Sequence, residues 1–100
     1  MLMHNPPHPG KLLRRLYMQP LGLTVSALAH ALKVSRGTMS QLVNGRSRMT
    51  PNLALRLSQA FSNGPEGWLN MQQQFDLWHE THKLRHVRIS TIGNRQRKPA

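Results

Sequence analysis

The sequence predicts an all-α fold, five helices packed as a bundle with a short C-terminal tail, and three observations carry that expectation. Apolar residues recur at helical spacing in five successive segments. The segments are bounded by residues that start or stop helices: Pro9, Thr24, Ser35, Gly45, Thr50 with Pro51, and Pro65. The connections are short, as in a helical bundle, and the one alternation suited to a short strand is Val87 with Ile89.

The first helix starts at Pro9, where a proline fits the first turn, and Leu12, Leu13, Leu16 and Tyr17 form its inward stripe until "QPLG" ends it. Thr24 caps the second, with Val25, Leu28, Ala29 and Leu32 on one face. Ser35 caps the third, which turns Met39, Leu42 and Val43 inward and stops at a left-handed Gly45. The fourth begins at Thr50 and Pro51 and carries Leu53, Leu57, Ala60 and Phe61. The fifth runs from about Pro65 into the mid-eighties, with Trp68, Met71, Phe75 and Trp78 on one side. Residues 1–85 then make one helical domain, and 86–100 a basic tail with Arg88, Arg95, Arg97 and Lys98. Beyond about Gly93 too few apolar residues remain to hold that tail, so it is expected to be disordered without a partner.

Charge narrows the partner. Lys and Arg number 14 against the three acids Glu66, Asp76 and Glu80, a formal net charge of +11, which calls for a polyanion. A membrane is not expected, because the apolar runs are too short to span one. There is no cysteine, which removes disulfides, thiolate zinc sites and thiol nucleophiles. The start, "MLMHNPPHPG", lacks the apolar core of a signal peptide, and a cytoplasmic protein is expected. Ser26 and His30 stand four apart with no orienting acid, so no enzyme is expected. His79, His82 and His86 share a helix face but read as a solvated helix end, so no metal and no cofactor is expected.

The stretch "LTVSALAHALKVSRGTMSQLVNGR", Leu23 to Arg46, joins two short helices through a tight turn. Such a pair presents its second helix to the DNA major groove while the first crosses the backbone. Arg36, Thr38, Ser40, Gln41 and Asn44 on the second helix are the candidates for reading bases: Arg36 pairs naturally with guanine, Gln41 with adenine, and Thr38 with a thymine methyl or a phosphate. Thr24, Ser35, Arg46 and Arg48 are the candidates for phosphates, although Ser35 is first of all a cap. The aromatic stripe of Trp68, Met71, Phe75 and Trp78 suits a core or a dimer interface better than base stacking.

The segment from Leu23 to Phe61 resembles the helix-turn-helix of the Cro/C1 (Xre-type) repressors. Its flanks, "HPGKLLRRLYMQPLGL" and "PEGWLNMQQQFDLW", resemble the HigA (VapI-like) antitoxin family, over roughly residues 8 to 79. That resemblance implies a five-helix fold and a homodimer built largely through the last helix. It also implies a palindromic double-stranded operator ahead of its own operon, and neutralisation of a HigB-type toxin, a RelE-like ribonuclease that cuts messenger RNA. The alternatives are a stand-alone phage or plasmid regulator without a toxin, or a protein that coats nucleic acid without sequence preference. Three features depart from the family pattern: Val25 replaces a frequent Gln, the first helix is basic at Lys11, Arg14 and Arg15, and Lys33 replaces the turn glycine. A left-handed backbone at Lys33 costs about 1 kcal/mol.

Overall fold

All helices of this chain but the last start where a side chain accepts a backbone amide and stop at or just before a left-handed residue. The computed structural model describes residues 4–92. In it α1 runs through an α-helical turn, Pro9–Leu13, a π-helical turn, Arg14–Met18, and a last α-helical turn, Gln19–Leu21. There follow α2, Val25–Leu32, α3, Arg36–Val43, α4, Pro51–Phe61, and α5, Pro65–Leu84. The hydroxyl oxygens of Thr24, Ser35 and Thr50 accept the amides three residues on, at 3.0, 3.0 and 3.2 Å. Gly22, Lys33 and Ser62 end α1, α2 and α4 at φ of 64°, 59° and 56°, and Gly45, just beyond α3, has φ 72°.

All five expected helices are therefore present. The expected strand is not: Val87 and Ile89 lie in irregular backbone beyond α5. A strand needs a partner for its ladder, and every regular element among the described residues is helical.

The π turn corrects the inward stripe of α1. Bonding from i to i+5 adds a residue to the turn, so the inward position after Leu13 is Met18. Leu13 and Met18 are buried, whereas Leu16, expected inside, is 56% exposed. In α4 the buried residues are Leu53, Ala54 and Leu57, while Ala60, also expected inside, faces solvent. The core gathers these residues with Leu28, Ala29 and Leu32 of α2, Met39, Leu42 and Val43 of α3, Met49, and Trp68 of α5. Ala29, as expected of a small residue between two helices, is buried.

His8, Pro9 and Gly10 start α1 by three different means. Pro9 places at the first helical position a nitrogen with no amide to satisfy. His8 is buried, and its Nδ1 accepts the Gly10 amide at 2.9 Å. Gly10 is buried against the end of α3, where a Cβ would overlap the Leu42 carbonyl oxygen, so only glycine allows the approach.

Lys33 carries the left-handed backbone with a Cβ. Its strain is offset in part by Arg56 of α4, whose Nη1 donates to the Leu32 carbonyl at 2.7 Å and to the Lys33 carbonyl at 3.3 Å, capping the open end of α2. Lys33→Gly is expected to raise stability by about 1 kcal/mol, the left-handed cost of a side chain. In a domain of this size that is roughly 4–8 °C in thermal midpoint, and an unchanged midpoint would show that Arg56 already removes the strain.

Burial lowers the His8 pKa below its ordinary 6.5, against the opposing pull of a hydrogen bond to the Ser47 backbone, and nearby Lys11 lowers it further. A lowered folded-state value means that the folded chain binds fewer protons there than the unfolded chain. The His8 contribution is thus complete above pH 6.5 and is lost as pH falls through the folded value. Urea midpoints are expected to drop on acidification below pH 6.5, and His8→Gln should flatten that part of the profile.

Candidate nucleic-acid interface

A helix that reads DNA must hold polar side chains outward and still be fixed from behind. α3 does both. Arg36, Gly37, Thr38 and Gln41 are exposed, Ser40 and Asn44 are half-buried, and Met39, Leu42 and Val43 anchor the other side in the core. The Ser35 hydroxyl accepts the Thr38 amide and donates to Thr38 Oγ1 at 2.8 Å, which locks the first turn. Arg36 Nε donates to Ser26 Oγ of α2 at 2.9 Å.

Asn44 sits differently from the other candidate base readers. Its Nδ2 donates to the Ser40 carbonyl at 2.8 Å and its Oδ1 accepts from Arg14 Nη1 of α1 at 3.2 Å. Both ends of its amide therefore serve the cap of α3. Gln41 keeps an exposed amide with a donor and an acceptor to offer.

Beside α3 lies a groove of about 700 Å³ lined by the first turns of two helices, Ser35 and Thr38 from α3 and Thr50 and Asn52 from α4, together with Ser47 and Arg48. Helix starts carry unsatisfied amides and a positive partial charge, the chemistry that receives phosphate oxygens. Of the expected phosphate residues, Ser35 and Arg48 line this groove. Thr24 caps α2 and Arg46 is exposed in the loop after α3.

Charge is segregated along the chain. All three acids lie on α5, where Asp76 pairs with Arg48 and Glu80 with Lys83 at 3.2 Å. α1 to α4 and their connections contain no acid, so α3 with Arg36 and the loop with Arg46 carry positive charge and no carboxylate of their own.

The Arg48 pair is one arm of a network that ties the loop after α3 to α5. Gln72 is buried; its Oε1 accepts the Met49 amide at 2.7 Å, and its Nε2 donates to Asp76 Oδ1 at 3.0 Å. Arg48 is a candidate for phosphate, and its guanidinium is already paired with Asp76.

The aromatic stripe also divides. Trp68 is 3% exposed, a core residue of its own chain whose indole N–H donates to Asn63 Oδ1 at 3.3 Å, and this corrects its expected place in a dimer interface. Met71, Phe75 and Trp78 are half-buried. His8 meets Phe75 edge-on with centroids 5.0 Å apart, and His4 meets Trp78 at 4.7 Å, so the N-terminal segment covers part of the stripe. The large apolar residues of α5 that are most exposed are Leu77 and Leu84, each about half exposed.

The histidines of α5 turn inward to their own helix: His79 and His82 each place Nδ1 2.8 Å from the carbonyl four residues back. Among the described residues no group of three His, Cys, Asp or Glu side chains could hold a metal ion, and no helix is long and apolar enough to cross a membrane. The tail residues Arg95, Arg97 and Lys98 lie outside the described residues.

Sequence reasoning missed Ser26, Arg14, Gln72 and Asp76, which hold Arg36, Asn44, Met49 and Arg48. One signal was available. An acid as rare as Asp76 in a chain of charge +11 is expected to be placed against a particular cation.

Residues 14–69 match the helix-turn-helix family. The chain is 40% identical over 85 residues to an uncharacterized HTH-type transcriptional regulator of Haemophilus influenzae, covering 85% of this chain and 79% of that one. It is 44% identical over 69 residues to Antitoxin HigA-1 of Vibrio cholerae, covering 69% of this chain and 65% of that antitoxin, a little under two thirds of its length. The solved structure of the Pseudomonas aeruginosa antitoxin HigA with the higBA promoter superposes with a TM-score of 0.78 at 29% identity, over 87% of this chain and 98% of that one.

Removing the buried acceptor under the loop is expected to cost stability. Gln72→Ala leaves the Met49 amide without its partner, a loss of about 1–3 kcal/mol for a buried unsatisfied donor. Chemical denaturation measures it, and a loss within a few tenths of a kcal/mol of zero would mean that water replaces the glutamine.

Proposed function

The chain belongs to the Xre-type helix-turn-helix family that includes the HigA antitoxins, and we propose that it is a homodimeric repressor that reads a palindromic operator with α3 and serves as the antitoxin of a HigB-type toxin. The observation that carries the DNA half is α3 itself, with Arg36 and Gln41 outward beside a groove of two helix starts, on elements that contain no acid. The major groove is about 12 Å wide and takes one helix, with α2 crossing the backbone above it. Arg36 then meets guanine and Gln41 adenine, while Arg46 and the first turns of α3 and α4 fix register on phosphates.

A single reading helix covers half of a palindrome. Two copies place two such helices on successive major-groove turns, about 34–36 Å apart. The surface suited to join them is α5, where Leu77 and Leu84 are 45% and 51% exposed next to half-buried Met71, Phe75 and Trp78.

The toxin half rests on the relatives named as HigA antitoxins. The partner it supplies is a RelE-like ribonuclease that cuts messenger RNA, bound in the cytoplasm. A helix-turn-helix regulator with no toxin shares the same DNA face, and a HigB-like reading frame beside the gene separates the two. The direct experiment is co-expression with the product of that neighbouring frame: relief of growth arrest and a co-purifying complex support the antitoxin, and arrest that persists overturns it.

Light scattering at micromolar concentration is expected to give twice the subunit mass. In titrations against operator and scrambled duplexes, Arg36→Ala and Gln41→Ala should each lose about 1–3 kcal/mol of discrimination. Arg46→Ala should weaken both duplexes alike, because phosphates carry no sequence. Equal losses on both duplexes from all three variants would remove base reading from α3.

A further inference from the structure

Arg36 is the first residue of α3 and Ser26 the second of α2, and the two exposed side chains meet through one hydrogen bond, Arg36 Nε to Ser26 Oγ at 2.9 Å. From this contact we propose that Ser26 is a specificity-determining positioning residue, which orients Arg36 toward guanine and ties that base contact to a backbone phosphate. The inference rests on α3 being the reading helix, as proposed above.

The chemistry follows from the donors. A guanidinium has five N–H groups. With Nε–H given to Ser26, the edge left for a base is the parallel pair on Nη1 and Nη2, which matches O6 and N7 of guanine and no other base edge. No carboxylate competes for that edge, since all three acids lie on α5 and are placed against other partners or in its first turn. An exposed arginine otherwise samples many rotamers, and ordering it on binding costs affinity that a prior contact saves.

Ser26 has a second bond to make. Its oxygen accepts from Arg36, so its own hydroxyl hydrogen remains to donate. Ser26 lies in the first turn of α2, the helix that crosses the DNA backbone in this arrangement. A phosphate oxygen there completes a chain from phosphate through Ser26 and Arg36 to guanine. Register and base identity are then sensed together: a shifted phosphate moves the arginine off its base.

The test uses the full chain and the best-bound duplex recovered from a randomised pool, with each of its guanines replaced in turn. Arg36→Ala first identifies the guanine whose replacement no longer matters. Ser26→Ala is then expected to reduce the preference for that guanine by about threefold to tenfold, the worth of one orienting hydrogen bond. The preference at bases assigned to Gln41 should stay unchanged. Ser26→Thr, which keeps the hydroxyl, should restore the preference, and in the Arg36→Ala background Ser26→Ala should weaken all duplexes alike through the lost phosphate contact and change no base preference. Circular dichroism of each variant controls for folding, and Ser26 is exposed and outside the core.

Weakening of all duplexes alike by Ser26→Ala would show a phosphate contact without positioning and overturn the proposal. So would a further change of base preference from Ser26→Ala in the Arg36→Ala background. If Arg36→Ala itself leaves every guanine preference intact, the base-reading role of α3 falls and the inference with it, an outcome the Arg36 variant alone reveals.

Discussion

The approach of the Gly10 backbone to the Leu42 carbonyl sets where the reading helix stands. Backbone against backbone is the shortest distance at which two helices can pack, and it is open to glycine alone. With that contact made, the remaining ties between α1 and the end of α3 fall into place. Arg14 of α1 reaches Asn44 at the cap of α3, and buried His8 bonds both the Gly10 amide and the Ser47 backbone. The C-terminal end of α3 is thereby held from behind, while its N-terminal end is held by the Ser35 cap and by Ser26. A helix pinned at both ends presents Arg36 and Gln41 with little freedom to lose on binding.

Charge completes what packing begins. Acids confined to α5 leave α2 and α3 without a carboxylate of their own, a charge distribution that favours a polyanion there. The same segregation gives α5 a structural part in that face. Asp76 holds Arg48, and Gln72 satisfies the buried Met49 amide, so the loop between α3 and α4 is supported by the helix proposed to join two subunits. A change in the packing of α5 would therefore be felt at the groove between the two helix starts.

The divided fate of the α5 stripe follows from geometry of the same kind. Helical periodicity puts Trp68, Met71, Phe75 and Trp78 along one side, but the side meets different neighbours along its length. The first turns of α5 lie on the core and bury Trp68, with its indole N–H satisfied by Asn63. Farther along the N-terminal segment covers part of it, through His8 on Phe75 and His4 on Trp78, and His79 and His82 of α5 itself lie against the same two rings. Leu77 and Leu84 are left to solvent, on the part of α5 that has no intrachain core to join.

The sequence by itself determined the five helices, their caps and most of the core. These depend on neighbours within one turn: Thr24, Ser35 and Thr50 cap amides three residues on, and Leu28, Ala29 and Leu32 repeat at the period of a helix. It also placed Arg36 and Gln41, the residues proposed to read bases, outward, and it named Lys33 as a left-handed turn residue. Only the tertiary structure decided that Met18 replaces Leu16 in the core through a π turn, that Trp68 faces inward, and that Asn44 is spent on a cap. The same holds for Arg48 shared with Asp76 and Arg36 steadied by Ser26. The physical reason is separation along the chain. Asn44 and Arg14 are 30 residues apart, Arg48 and Asp76 28, and Arg36 and Ser26 10. No local pattern records which of many possible donors and acceptors the packing of helices brings within 3 Å of one another.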